Sequence, residues 1–244
     1  MAMTEHKDEK GFTRSVLILL RHGSTEWNEG NRFTGWADVP LSVRGIEEAG
    51  RAGRLIAAAR VLPDVAYASR LSRAIQTATI ALAAADCHDI EIRRSWRLNE
   101  RHYGALQGRD RDAVLAEYGH CRLHLWRRSF YGVPPEAIRD DTAAGLLPPD
   151  ERGAPLPRAE SLKDVSDRLL PYWKKEIEQQ LRRGRTVLVV AHSNSLRAIV
   201  KHLEKMSDED IIDLSIPIAV PLVYVFEDKF HGVPGQYLAS GSSF

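Results

Sequence analysis

The sequence predicts an α/β fold, a parallel sheet covered by helices on both faces, and three observations predict it. Val16, Leu17, Ile18, Leu19 and Leu20 form an apolar run without polar alternation, as a strand buried on both faces requires. Thr186 to Val190 repeats that pattern late in the chain. Around these runs, apolar residues recur at helical spacing, so that strands and helices follow one another as a parallel sheet needs.

With 244 residues and 43% hydrophobic content the chain can bury one substantial core, and residues 14–244 read as a single domain. Met1 to Lys10 is polar and charged, and residues 1–13 are expected to be a disordered extension. The 34 Lys and Arg residues nearly cancel the 33 Asp and Glu, which argues against nucleic acid or an anionic membrane as the main partner. Cys87 and Cys121 make neither a CxxC pair nor a disulfide framework. No segment resembles a signal peptide or a membrane span, so the expectation is a soluble, cytoplasmic protein. His120, Cys121 and His124 lack a second ligand pair at metal-binding spacing, and no metal is expected.

The first strand stops at Arg21, His22 and Gly23, where an open α/β sheet binds ligands. These residues offer a fixed charge, a group that titrates near neutrality and a backbone that a ligand can approach, and phosphate is the obvious guest. A hydrogen-bonded structural histidine is the bland alternative. Ser24 to Pro40 reads as an ordered loop packed by Trp27, Phe33 and Trp36, and Ser42 can cap a helix to about Ala59 with Ile46, Ala49, Gly53 and Ile56 inward. Its glycines predict close helix packing. Asp64 to Ala68 is a second buried strand, and Ser69 can cap the next helix, with Leu71, Ile75, Ala78 and Leu82 inward. Arg73 then lies in the first turn, where a cation opposes the helix dipole; it either shares an anion with that terminus or is simply solvated.

Ile90 to Arg93 is a short strand, and Trp96 to Gly108 is dense in polar groups without helical or strand periodicity. A helix from Asp110 to Tyr118 closes at Gly119, and a second amphipathic stretch runs through Leu123, Trp126 and Phe130. Pro134 to Pro157 holds six of the twelve prolines and is expected to be a surface loop or lid. Glu160 to Arg183 is a helix kinked at Pro171 and stopped by Gly184. The strand from Thr186 ends at Ala191, His192, Ser193 and Asn194, with Ser195 placed to start a helix. A second strand-end histidine makes coincidence less plausible, and its helix N-terminus suits phosphate. Ser207 and Asp210 form a capping-box pattern, and Leu222 to Phe226 is the last strong strand.

Phosphoryl transfer needs a nucleophile, cations on the equatorial oxygens and a proton donor for the leaving oxygen. His22 can attack phosphorus through a neutral ring nitrogen, and Arg21, Arg73 and His192 can neutralise developing charge. Glu100 is the best acid/base, with an ion pair to Arg97 or Arg101 as its structural alternative.

At this point the chain resembles the cofactor-dependent phosphoglycerate mutases of the histidine phosphatase superfamily. The resemblance is borne by Arg21-His22-Gly23, the loop through Asn28, Arg32, Phe33, Thr34, Gly35 and Trp36, the Leu98 to Gly108 segment, and Ala191-His192 with Asn194 to Arg197. It implies a three-layer α/β/α sandwich with a mostly parallel central sheet. His22 would be phosphorylated, Glu100 would shuttle the proton, and Arg21, Arg73, Asn28 and His192 would form the phosphate pocket. Thr34, Gly35, Tyr103, Arg127, Arg128 and Asn194 would bind the carboxylate and second phosphate, with Arg101, His102, Arg111 and Ser193 as further binding candidates. The implied reaction interconverts 3-phosphoglycerate and 2-phosphoglycerate in glycolysis and gluconeogenesis. It is primed by 2,3-bisphosphoglycerate, uses no metal, and is run by a homodimer or homotetramer. The alternatives are a histidine phosphatase acting on bisphosphoglycerate or another small phosphate ester, and a non-catalytic phospho-ligand binder. Ser193 stands where the family usually has glycine, so crowding of the phosphate or backbone strain is expected there. Ser24 and Arg111 also depart from the family's usual residues. The short stretch after Tyr237 predicts some bisphosphatase activity, because water reaching a phosphohistidine hydrolyses it.

Overall fold

The apolar runs meet in one sheet. The computed structural model describes residues 14–137, 157–227, 230 and 234–239. Its elements are β1 (Ser15–Arg21), α1 (Glu26–Glu29), α2 (Val43–Ala58), β2 (Val65–Ala68), α3 (Ser72–Ala84), β3 (Ile92–Arg94), α4 (Arg111–Arg128), α5 (Leu162–Tyr172), α6 (Glu178–Arg182), β4 (Thr186–Ala191), α7 (Ser193–Glu204), β5 (Leu222–Phe226) and β6 (Gln236–Tyr237). The six strands take the order β3-β2-β4-β1-β5-β6. The pairs β3-β2, β2-β4 and β4-β1 are parallel, and β5 and β6 add antiparallel at one edge. The sheet is therefore mostly parallel, as expected.

Alternation along the strands builds two cores. Leu17 and Leu19 of β1 and Val187 and Val189 of β4 join Leu169, Trp173, Ile177 and Leu181 on one face, together with Leu196, Ile199 and Leu203 of α7. Ile18, Leu20, Leu188 and Val190 point to the other face, against Ala52 and Ile56 of α2 and Ala74, Ala78 and Ala81 of α3. These are the three layers. Small residues let α2 approach α3 closely, since a Cβ at Gly53 would lie 2.2 Å from the carbonyl oxygen of Ala81.

Several expectations need correction. Ile46 is 50% exposed, because the buried face of α2 runs through Gly45, Glu48, Ala49, Ala52 and Ile56 and leaves Ile46 round its flank. Ser69 does not cap α3; Leu71 is the N-cap, and Ser69 Oγ instead accepts from Leu71 N and bonds to His192 Nε2 at 2.7 Å. The third strand begins at Ile92 rather than Ile90. The Ser24 to Pro40 loop contains a short helix, α1, capped by Thr25. The helix from Glu160 is three pieces: α5 with a Ser161–Asp164 capping box, a π-helical turn at Trp173–Ile177, and α6. The π turn follows Pro171, which has no N–H to continue the α-helical ladder. The break at Gly119 is as read: its φ of 78° and ψ of 162° interrupt α4. Residues 138–156, most of the proline-rich loop with its lid reading, lie outside the described residues, as do 1–13 and 240–244. Among the described residues no helix is long and apolar enough to cross a membrane.

Candidate active site

Strand register brings the histidines together. Arg21 of β1 pairs with Ala191 of β4, so the next residue of each parallel strand leaves the sheet at the same edge. The His22 N–H donates to the Ala191 carbonyl at 3.0 Å, and the two imidazole centroids lie 4.9 Å apart. His22 Nδ1 is 2.7 Å from the Gly23 carbonyl oxygen, which can only accept; Nδ1 therefore carries the proton and Nε2 keeps its lone pair. Both rings are buried. Burial first, then the charges of Arg73 and Arg21, press the His22 pKa well below its ordinary value. Burial, Arg73, His22 and Arg21 do the same to His192.

The neutral histidines make stability depend on pH. The unfolded chain binds protons at these positions from about pH 6.5 downward, whereas the folded chain resists them. The stabilisation is complete above that value and is lost as pH falls towards the depressed folded pKa values, by up to about 1.4 kcal/mol per unit for each ring. Urea midpoints should fall between about pH 7.5 and about pH 5.5, and His22→Asn should remove roughly half of the two rings' share of that slope. A slope unchanged by the substitution would contradict the assignment.

Two arginines flank the rings. Arg21 Nη1 donates to the Ile216 carbonyl at 2.8 Å. Arg73, in the first turn of α3 as expected, is 1% exposed and donates to the carbonyls of Gly35 (2.8 Å) and Ala37 (2.9 Å). Burial lowers its pKa to about 10 against the pull of Glu100 and Asp38. Arg73 is thus not solvated, and no carboxylate among the described residues pairs with it; it braces the Gly35 turn and charges the cavity. Gly35 itself has φ +56°, and a Cβ there would lie 2.2 Å from Gln107 Oε1, so both backbone and space demand glycine.

Glu100 is fixed by backbone donors. Its Oε1 accepts from Arg101 N at 2.8 Å and from Asn194 N, in the first turn of α7, at 3.1 Å. A carboxylate thus takes the helix terminus that the sequence offered to phosphate. Arg101 meets the Glu100 carboxylate through its backbone N–H.

A cavity of about 200 Å³ is lined by Arg21, His22, Arg73 and Glu100 with Asn28, Thr34, Gly35, Tyr103, Arg111, Arg127, Arg128, Ser193 and Asn194. Thirteen of the sixteen residues singled out from sequence line it. His192 stands against His22 within the protein. Arg101 and His102 do not line the cavity. Arg101 is fully buried, with its guanidinium over the Tyr103 ring and Nη2 on the Tyr103 hydroxyl at 3.3 Å. His102 is fully buried, its Nδ1 accepts from Gly104 N, and its ring meets Trp36. For Tyr103, burial raises the phenol pKa, but Arg101 and Arg127 outweigh it and the net shift is downward. Ser193 opens α7 without a positive φ, so the expected backbone strain is absent.

Sequence reading missed two lining residues, Arg197 and Ser215. Arg197 is 1% exposed, bonds Asn194 Oδ1 at 3.0 Å and holds the carbonyls of Arg128 and Ile211. Its signal was available: a cation amid Leu196, Ala198, Ile199 and Val200, all buried on α7. Ser215 belongs to no motif. Arg21 Nε, Arg73 Nε, Arg111 Nε, Thr34 Oγ1 and His192 Nδ1 are buried without a hydrogen-bond partner among the described residues. A polyanion rich in acceptor oxygens would satisfy them. Among the described residues no group of three or more His, Cys, Asp or Glu side chains is placed to hold a metal.

Comparison with known proteins agrees with this geometry. A family model described as histidine phosphatase superfamily (branch 1) matches residues 17–230. A protein of Leifsonia xyli subsp. xyli named 2,3-bisphosphoglycerate-dependent phosphoglycerate mutase is 55% identical over 228 residues, covering 91% of each chain. One of the same name from a Nocardioides species is also 55% identical, over 91% of this chain and 92% of that protein. Among solved structures, a mycobacterial glucosyl-3-phosphoglycerate phosphatase has a TM-score of 0.70 at 23% identity, covering 91% of this chain and 96% of that one. An alpha-ribazole phosphatase from Shigella flexneri has a TM-score of 0.65 at 22% identity, covering 91% and 95%. Those two likenesses concern the fold.

Proposed function

The chain belongs to the histidine phosphatase superfamily, branch 1, and on that premise we propose that it interconverts 3-phosphoglycerate and 2-phosphoglycerate through a phosphohistidine at His22. Relatives named as 2,3-bisphosphoglycerate-dependent phosphoglycerate mutases, 49–55% identical over about nine-tenths of the chain, support that substrate. The observation that carries the chemistry is His22 itself: Nδ1 is committed to the Gly23 carbonyl, Nε2 is free to attack, and Arg21, Arg73 and Glu100 line the same cavity.

The residues fit 2,3-bisphosphoglycerate as priming donor, since the partnerless donors around the cavity suit an anion with two phosphates and a carboxylate. Arg21, Arg73 and His192 would hold the phosphate nearest His22, and Arg111, Arg127, Arg128, Tyr103 and Asn194 the distal groups. When bound, that donor supplies the phosphoryl group that charges His22.

Each later step belongs to the chain's own groups. Phosphorylated His22 presents phosphorus to a hydroxyl of the bound monophosphoglycerate. Glu100 takes the hydroxyl proton as the new P–O bond forms and the P–N bond to Nε2 breaks. After the ligand reorients, Nε2 attacks the other phosphate, that P–O bond breaks, and Glu100 returns the proton to the departing oxygen. Oε1 is held by two backbone donors, so the proton moves on Oε2. Arg21 and Arg73 stay charged throughout and stabilise the equatorial oxygens.

This reading further takes the protein as a soluble cytoplasmic enzyme of glycolysis and gluconeogenesis, 14–244 as one catalytic domain, and a homodimer or homotetramer as the working assembly. Formation of 2-phosphoglycerate from 3-phosphoglycerate, measured with and without bisphosphoglycerate beside free phosphate release, tests it. Isomerisation should be stimulated by bisphosphoglycerate and outpace phosphate release. Phosphate release without stimulated isomerisation would instead make the protein a phosphatase.

A further inference from the structure

Glu100 has no regular element of its own: it lies between two single 3-10 turns, Trp96–Leu98 and Gly104–Leu106. A proton-moving carboxylate on such backbone needs outside support, because displacement by about 1 Å can cost a hundredfold in rate. The support converges on Arg168 of α5. Its Nε donates to Glu160 Oε1 at 2.7 Å, Nη1 to the Arg97 carbonyl at 2.7 Å, and Nη2 to the carbonyls of Asn99 (3.0 Å) and Glu100 (2.9 Å). The guanidinium lies 5.7 Å from the Trp36 ring centroid and 5.8 Å from that of Trp96. The Trp36 indole N–H donates to the same Glu100 carbonyl at 2.6 Å. On the other side Glu160 Oε2 accepts from His102 N at 2.8 Å, while Glu160 N donates to the His102 carbonyl at 2.9 Å. One ion pair therefore grips the chain before and after Glu100.

We propose that Arg168, paired with Glu160, is the positioning residue of the acid/base, holding the Glu100 backbone so that its carboxylate meets the oxygen that gains or loses a proton. This rests on the role given to Glu100 above. Arg168 does not line the cavity, so it acts through Glu100 and not on the ligand. Arginine suits the task, since its rigid fork of N–H donors serves these four acceptors at once, whereas an ammonium has three donors on a single atom.

The experiment separates proton transfer from the rest of catalysis by leaving group. A glycerate oxygen needs protonation to leave, whereas 4-nitrophenolate leaves unaided. For Arg168→Lys, kcat for isomerisation should fall about tenfold to a hundredfold, with KM within about threefold of wild type. Release of 4-nitrophenolate from 4-nitrophenyl phosphate in a single turnover, the step that phosphorylates His22 and needs no acid, should stay within about threefold of wild type. Glu100→Gln should show the same selectivity, and the double variant should be no slower than Glu100→Gln alone. Equal losses on both substrates in a variant with wild-type circular dichroism and unfolding midpoint would overturn the proposal, as would an unchanged kcat. If Glu100→Gln itself is unselective, the acid/base reading fails and this proposal with it; if Glu100→Gln is selective and Arg168→Lys is not, only this proposal fails. Breaking a buried pair at one partner is destabilising, so Glu160→Gln, which keeps shape and an acceptor for Nε, is the second variant. It should show the same selectivity at smaller amplitude, and equal losses there would also overturn the assignment.

Discussion

Replacing His22 with alanine is expected to lower isomerisation by about ten-thousandfold or more and to abolish acid-labile phosphorylation of the protein. The expectation follows from what the ring alone supplies. Its Nδ1 is fixed by the Gly23 carbonyl, and burial with two nearby arginines keeps the ring neutral, so Nε2 is an unprotonated nucleophile near neutral pH. The neighbouring His192 has its Nε2 engaged by Ser69 at 2.7 Å. Labelled bisphosphoglycerate followed by an alkaline-stable, acid-labile count is the direct measurement. A labelled His22→Ala protein would place the nucleophile elsewhere.

Arg73→Met should lower kcat/KM by about a hundredfold to a thousandfold, the range seen when one preorganised stabiliser of transition-state charge is removed. After burial, Arg73 is the strongest influence that keeps both histidines neutral, and it braces the Gly35 and Ala37 carbonyls beside the cavity. Arg73→Lys should recover little, because an ammonium cannot reach both carbonyls and still offer a donor where Nε now lies unpartnered. Inorganic phosphate should raise the unfolding midpoint of the wild type and hardly move that of Arg73→Met, since only an anion bound to the folded state stabilises it. A full phosphate response in the variant would remove Arg73 from the anion site.

Much of this site was legible in the chain. Thirteen of the residues singled out beforehand line one cavity, and both strand-end histidines lie where the apolar runs stop. Arg101 and His102, binding candidates by resemblance, neighbour Glu100 in sequence. In an irregular segment adjacent side chains take different directions, and these two turn into the protein. Ser69 resembled a helix cap by its position, yet its hydroxyl serves His192, a contact that spans 123 residues. Arg197 was passed over because helical periodicity marks a face as buried without saying that a cation on it has carbonyls to hold.

What the sequence determined by itself were the features set by neighbouring residues: the two-sided burial of β1 and β4, the capping box of Ser207 and Asp210, the break at Gly119 and the histidines at the strand ends. Such features depend on side-chain alternation, local hydrogen bonds and backbone freedom, all written within a few positions. Tertiary structure alone decided the register that sets His22 beside His192, the seating of Glu100 on Asn194 N across 94 residues, and the grip of Arg168 on the Glu100 carbonyl across 68. Those contacts join groups that share no local pattern. Their geometry exists only once the two cores have packed the helices against the sheet.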